Sequence, residues 1–107
     1  MTTSTKNRRY ARVGLPKGML VAWQWGGERV VSRVGTLGLG GLFITTPQPP
    51  AAGEIVSLFF EVPGGEVRAR AVVRDSQQGK GMGIEFIAMG HEAQARLNHL
   101  LKRLVGP

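Results

Sequence analysis

Apolar residues recur at two different spacings in this chain, and the change of spacing divides it. Val67, Ala69, Ala71 and Val73 alternate with Arg68, Arg70, Val72 and Arg74, the period of a strand with one core face and one mostly cationic face. Strands are also predicted over Met19 to Trp25, Glu28 to Val34, Leu42 to Ile44, Ile55 to Val62 and Gly81 to Ile87. Turn signals separate them: Gly26-Gly27, Pro63-Gly64-Gly65 and Gln77-Gln78-Gly79-Lys80. The run Gly35-Thr36-Leu37-Gly38-Leu39-Gly40-Gly41 reads as a glycine-dense loop, and Pro47, Pro49 and Pro50 break regular structure around residue 48. From His91 to Leu104 the period becomes helical. Leu97, Leu100, Leu101 and Leu104 fall at i, i+3, i+4 and i+7, a stripe that must dock on something. Short antiparallel strands followed by one helix predict an all-β fold, a small barrel with the C-terminal helix packed outside or across one end.

The chain has 107 residues, enough for one domain and its core. The reading divides it into a flexible basic arm over 1–17, a barrel over 19–87 and a helix over 91–104. No stretch approaches the roughly 18 consecutive apolar residues of a membrane span. The N-terminus lacks the apolar run of a secretory signal, so a cytoplasmic module is expected. With no cysteine, disulfides and thiolate metal sites are excluded.

Charge changes the picture more than length does. The formal net charge is +7, which favours anionic partners. Lys6, Arg8, Arg9, Arg12 and Lys17 all precede the first acidic residue, Glu28, so the arm is uniformly positive. Guanidinium groups grip phosphate oxygens bidentately and stack on aromatic rings. Such a segment can be a plain solvated tail, or it can clamp a ligand both anionic and aromatic, such as a nucleotide. The glycine loop has the same two readings: a tight strand connection, or a place where a ligand approaches the main chain. It lacks the ending of a P-loop, and a strand rather than a helix follows it.

Together, the arm and the loop resemble the two-part signature of the PilZ domains, a family of receptors for the bacterial second messenger cyclic di-GMP. Arg8 and Arg12 match the Arg-x-x-x-Arg part, with Arg9 as a frequent extra arginine. Thr36, Gly38 and Gly41 align with the Asp/Asn-x-Ser-x-x-Gly part and run into Leu42-Phe43-Ile44. Gly81-Met82-Gly83-Ile84-Glu85-Phe86 is similar to the family's late barrel strand. The second motif is degenerate: Thr36 replaces Asp or Asn, Gly38 replaces Ser, and Gly41 alone is retained.

The resemblance implies a six-stranded antiparallel barrel of the split-barrel type that binds cyclic di-GMP, with no other cofactor. The arginines would hold phosphates and stack on guanine, and Thr36, Gly38 and Gly41 would contact the rest of the ligand. Ordering of the arm would signal to a protein effector partner in second-messenger signalling. The altered loop leaves an alternative, a PilZ-type adaptor that binds no nucleotide and acts through protein contacts. A third reading is non-specific nucleic-acid binding through net charge; specific nucleic-acid recognition is not expected.

Other chemistry is sparse. Arg68, Arg70 and Arg74 form a solvated strand face or an auxiliary phosphate-contacting surface. His91 and His99 lie about 12 Å apart along the helix, too far for one metal ion. Trp23 and Trp25 share a strand face, as core or as a partner-facing patch. No acid/base pair is evident, so an enzyme is not expected.

Overall fold

The computed structural model describes residues 13–14 and 19–105. Seven strands, β1 (Val13–Gly14), β2 (Leu20–Trp25), β3 (Glu28–Leu37), β4 (Gly41–Thr45), β5 (Ile55–Val62), β6 (Gly65–Gln77) and β7 (Gly81–Met89), precede helix α1 (His91–Val105). All pairings are antiparallel, in the order β1-β3-β2-β5-β6-β7-β4. A further pairing of β3 with β4 joins the ends, so β2 to β7 form a closed six-stranded barrel and β1 is a short strand added beside β3. The barrel and the C-terminal helix expected from the hydrophobic periods are both present among the described residues.

Alternation builds the interior. Val56, Leu58, Phe60 and Val62 point inward from β5, and Val67, Ala69, Ala71 and Val73 do so from β6. They face one another in register, as at Val56↔Ala71, Leu58↔Ala69 and Phe60↔Val67. Val21, Trp23, Leu42, Ile44, Met82 and Ile84 complete the same core, which Ala93, Leu97 and Leu101 of α1 join. The helix packs chiefly on β6. Arg96 anchors it at the β5–β6 turn by donating from Nη1 to the Glu66 carbonyl at 2.8 Å.

The two tryptophans divide between the two readings. Trp23 is 4% exposed and donates from Nε1 to the buried Ser32 hydroxyl at 3.0 Å, which satisfies both polar groups inside the core. Trp25 is 40% exposed and donates to Glu54 Oε1 at 3.0 Å.

Two departures from the periodic reading shape the surface. The glycine-dense run is not all loop: β3 continues to Leu37, and the connection to β4 is residues 38–40. A bulge falls at Gly35, since Val34 pairs with Ile44 and Thr36 with Phe43. One extra residue reverses the alternation, so Ser32 and Val34 point inward, and then Leu37 rather than Thr36. Secondly, Val13–Gly14, inside the stretch read as an arm, pair with Leu37 and Thr36.

Candidate functional site

The segment carrying Arg8, Arg9 and Arg12 lies outside the described residues. Its point of entry into the barrel is nonetheless fixed. Val13, the residue after Arg12, pairs with Leu37, the residue before Gly38. The chain that bears the arginines therefore joins the sheet beside the candidate loop.

The three loop candidates have unlike environments. Thr36 stands on the outer face, between Gly14 of β1 and Phe43 of β4, and is the one of the three with a polar side chain. Gly38 closes the hairpin, its N–H donating to the Gly41 carbonyl at 2.9 Å. Gly41 is buried, and a Cβ there would collide with the Ile84 carbonyl. Close approach of β4 to β7 therefore accounts for a glycine at 41 without reference to any ligand. The loop tip is pinned as well, because the Phe86 N–H donates to the Gly40 carbonyl at 2.8 Å.

Outward from the loop, register aligns Gly14, Thr36, Phe43, Gly83 and Asp75 in one row across five strands. At the usual spacing of about 4.8 Å per strand, Thr36 and Asp75 are roughly 14 Å apart. Phe43 is half-buried, and its ring lies among glycines. A Cβ at Gly81 would come within 2.8 Å of the ring and one at Gly35 within 3.4 Å, whereas one at Gly83 would meet nothing closer than Asp75 Cβ at 3.7 Å. The result is a shallow shelf with an aromatic ring at its centre. At its far end Asp75 Oδ2 accepts from Gln77 Nε2 at 2.6 Å, and Arg74 Nε pairs with Glu85 Oε1 at 2.6 Å beside it.

Sequence reasoning missed Phe43, Gly83 and Asp75 as parts of this face. Their approach depends on pairing between distant strands. The one local signal is the Gly-x-Gly of residues 81–83, which by itself reads as strand and not as a floor. Among the described residues, no cluster of three His, Cys, Asp or Glu side chains could hold a metal ion, and no helix is long and apolar enough to cross a membrane.

Comparison with known proteins converges on one family. The family model described as the PilZ domain matches residues 6–103. Comparison with curated proteins gives no match. Among solved structures, the PilZ domain of YcgR from Escherichia coli with c-di-GMP superimposes with a TM-score of 0.75 at 15% identity, over 92% of this chain and 91% of that one. The Bacillus subtilis inhibitor of motility, MotI/DgrA, gives a TM-score of 0.75 at 20% identity, over 92% of this chain and 51% of that one. The PilZ domain of CeSA from a cellulose-synthesizing bacterium gives 0.64 at 19% identity, over 89% and 98%. This chain thus spans about half the length of MotI/DgrA and similarly of MrkH.

Proposed function

Because the chain belongs to the PilZ domain family, we propose that it is a cytoplasmic, non-enzymatic receptor module for cyclic di-GMP. The observation that carries the reading is the pairing of Val13–Gly14 with Leu37 and Thr36. It sets the root of the arginine segment beside the shelf of Thr36, Phe43, Gly83 and Asp75. Structural neighbours solved with the same ligand, YcgR and MrkH, support it.

In this reading Arg8, Arg9 and Arg12 neutralise the phosphates and stack on guanine, and one guanine lies over Phe43. Thr36 contributes one hydroxyl where the family signature has a carboxylate or amide. Asp75 supplies a carboxylate at the other end of the row, able to accept from the N–H edge of a guanine. Gly38 and Gly41 shape the loop through the backbone. Binding draws the arm onto the barrel, and the ordered arm presents a new surface to an effector.

Isothermal titration of cyclic di-GMP, with Arg8→Ala/Arg12→Ala as the comparison, tests this reading. The expected result is saturable binding that the double variant weakens by about 10²–10⁴-fold, the equivalent of two charge-assisted contacts. Cyclic di-AMP should compete poorly.

The degenerate loop supports one second reading, an adaptor that has lost nucleotide binding. Absence of binding by the natural chain, together with strong binding by Thr36→Asp/Gly38→Ser, would establish the adaptor. Under the receptor reading the same pair of substitutions improves an affinity already measurable, by roughly ten- to a thousand-fold.

A further inference from the structure

A second feature lies on the outer face of β2, β5 and β6, away from the Thr36–Asp75 row. Register aligns Arg29, Gln24, Ser57, Arg70 and Ala88 across it. The next row holds Val31, Ala22, Phe59 and Arg68. Small residues at Ala22 and Ser57 leave a trough of about 580 Å³ with Arg29 on one bank and Arg68 and Arg70 on the other, and Ala88 lines it beyond Arg70. Arg68 sits over the Phe59 ring at 5.1 Å and reaches Glu66 at 3.4 Å. Among the described residues, Arg29 and Arg70 form no ion pair. Val31, at 61% exposure, adds an apolar margin.

We propose that this trough docks an extended acidic segment of a partner protein. Arg29 and Arg70, without an ion pair among the described residues, flank a floor of Gln24 and Ser57 and give the charge complementarity, with Arg68 beside them held by Glu66. Spacing gives the conformation. Arg29 and Arg70 are three strand steps apart, roughly 14 Å between backbones. In an extended chain, residues i and i+4 point the same way about 13 Å apart. Two carboxylates four residues apart thus reach both arginines, while the residue midway lies over Gln24 and Ser57, beside Ala22 and Phe59. A small ligand fits less well, because the trough is open to solvent along its length and small-molecule sites enclose most of their ligand. Single-stranded nucleic acid fits less well too, since the ring face needed for base stacking already carries Arg68.

The test is an amide NMR titration of the whole chain with a blocked synthetic peptide that has two glutamates four residues apart and a leucine midway. The expected shifts fall at Ala22, Gln24, Ser57, Arg70 and Ala88. The peptide with both glutamates changed to glutamine should bind about tenfold more weakly or worse. Arg29→Glu/Arg70→Glu should abolish the response and leave cyclic di-GMP titration unchanged, which separates this site from the nucleotide reading. Three outcomes would overturn the proposal: no shifts at millimolar peptide, an equal response to the glutamine peptide, or stronger shifts at these amides from a thymidine oligonucleotide.

Discussion

The barrel turns two unlike faces outward. Across β3, β4, β7 and β6, the row of Thr36, Phe43, Gly83 and Asp75 takes its shape from side chains that are absent: the Phe43 ring lies against Gly35 and Gly81, and Gly83, its partner in the ladder, leaves open space. Across β3, β2, β5 and β6, the row of Arg29, Gln24, Ser57 and Arg70 takes its character from long cations standing over small neighbours. The first face is a matter of backbone approach, the second of charge. Adding a methyl group therefore perturbs the first, and reversing a charge perturbs the second.

The sharpest test of the first face is the same substitution at Gly83 on its floor and at Gly41, which packs β4 on β7 beside it. Gly41→Ala drives a Cβ into the Ile84 carbonyl, and backbone cannot yield there without separating β4 from β7. The expected cost is about 3 kcal/mol, measured as a shift in the urea midpoint. At Gly83 the new methyl meets ordinary contact with Asp75 at 3.7 Å, so Gly83→Ala should leave stability unchanged or raise it by up to about 1 kcal/mol. It should still lower cyclic di-GMP affinity, because the methyl stands on the shelf. Equal stability losses at both positions would remove the distinction between packing glycines and floor glycines.

Phe43 comes next in size. Stacking of a base on an aromatic ring is worth about 1–3 kcal/mol by alanine substitution. Phe43→Leu keeps most of the half-buried apolar volume and loses the ring face, so it isolates stacking from packing. Titration should show a roughly ten- to hundredfold loss of cyclic di-GMP affinity, with thermal stability nearly unchanged. An unchanged affinity would move the ligand off the shelf centre.

The extent to which each face could be read in advance follows from where its information lies. Alternation along β6 and the stripe of Leu97, Leu100 and Leu101 are local, and both were legible. The Gly26-Gly27 turn was legible too, because a type I′ two-residue hairpin needs positive φ at both positions, and they adopt 59° and 85°. The end of β3 was not. Gly35-Thr36-Leu37 has loop composition, yet pairing with β1 and β4 supplies its backbone partners, and that pairing is not written in the local sequence. For the same reason Thr36 and Gly38 could be singled out by family resemblance, while their neighbours Phe43, Gly83 and Asp75 could not. The remaining candidates, Arg8, Arg9 and Arg12, lie outside the described residues, and only the pairing of Val13–Gly14 with Leu37 and Thr36 is seen near them in sequence.

The smallest expected effect sharpens the division between the faces. In sequence Arg68, Arg70 and Arg74 form one stripe, but the ladder does not keep them together. Val73 pairs with Ile84 and Asp75 with Gly83, so Arg74 is the extra residue of a bulge. It turns toward Glu85, where the pair at 2.6 Å has side chains 63% and 52% exposed. An ion pair so open to water contributes at most about 1 kcal/mol, and Arg74→Ala should shift the melting temperature by no more than that allows. Because Arg74 belongs to neither bank of the trough, its loss should leave acidic-peptide binding unchanged, whereas Arg70→Ala should weaken it. Equal weakening by both substitutions would mean that net positive charge, and not the geometry of one face, attracts the peptide.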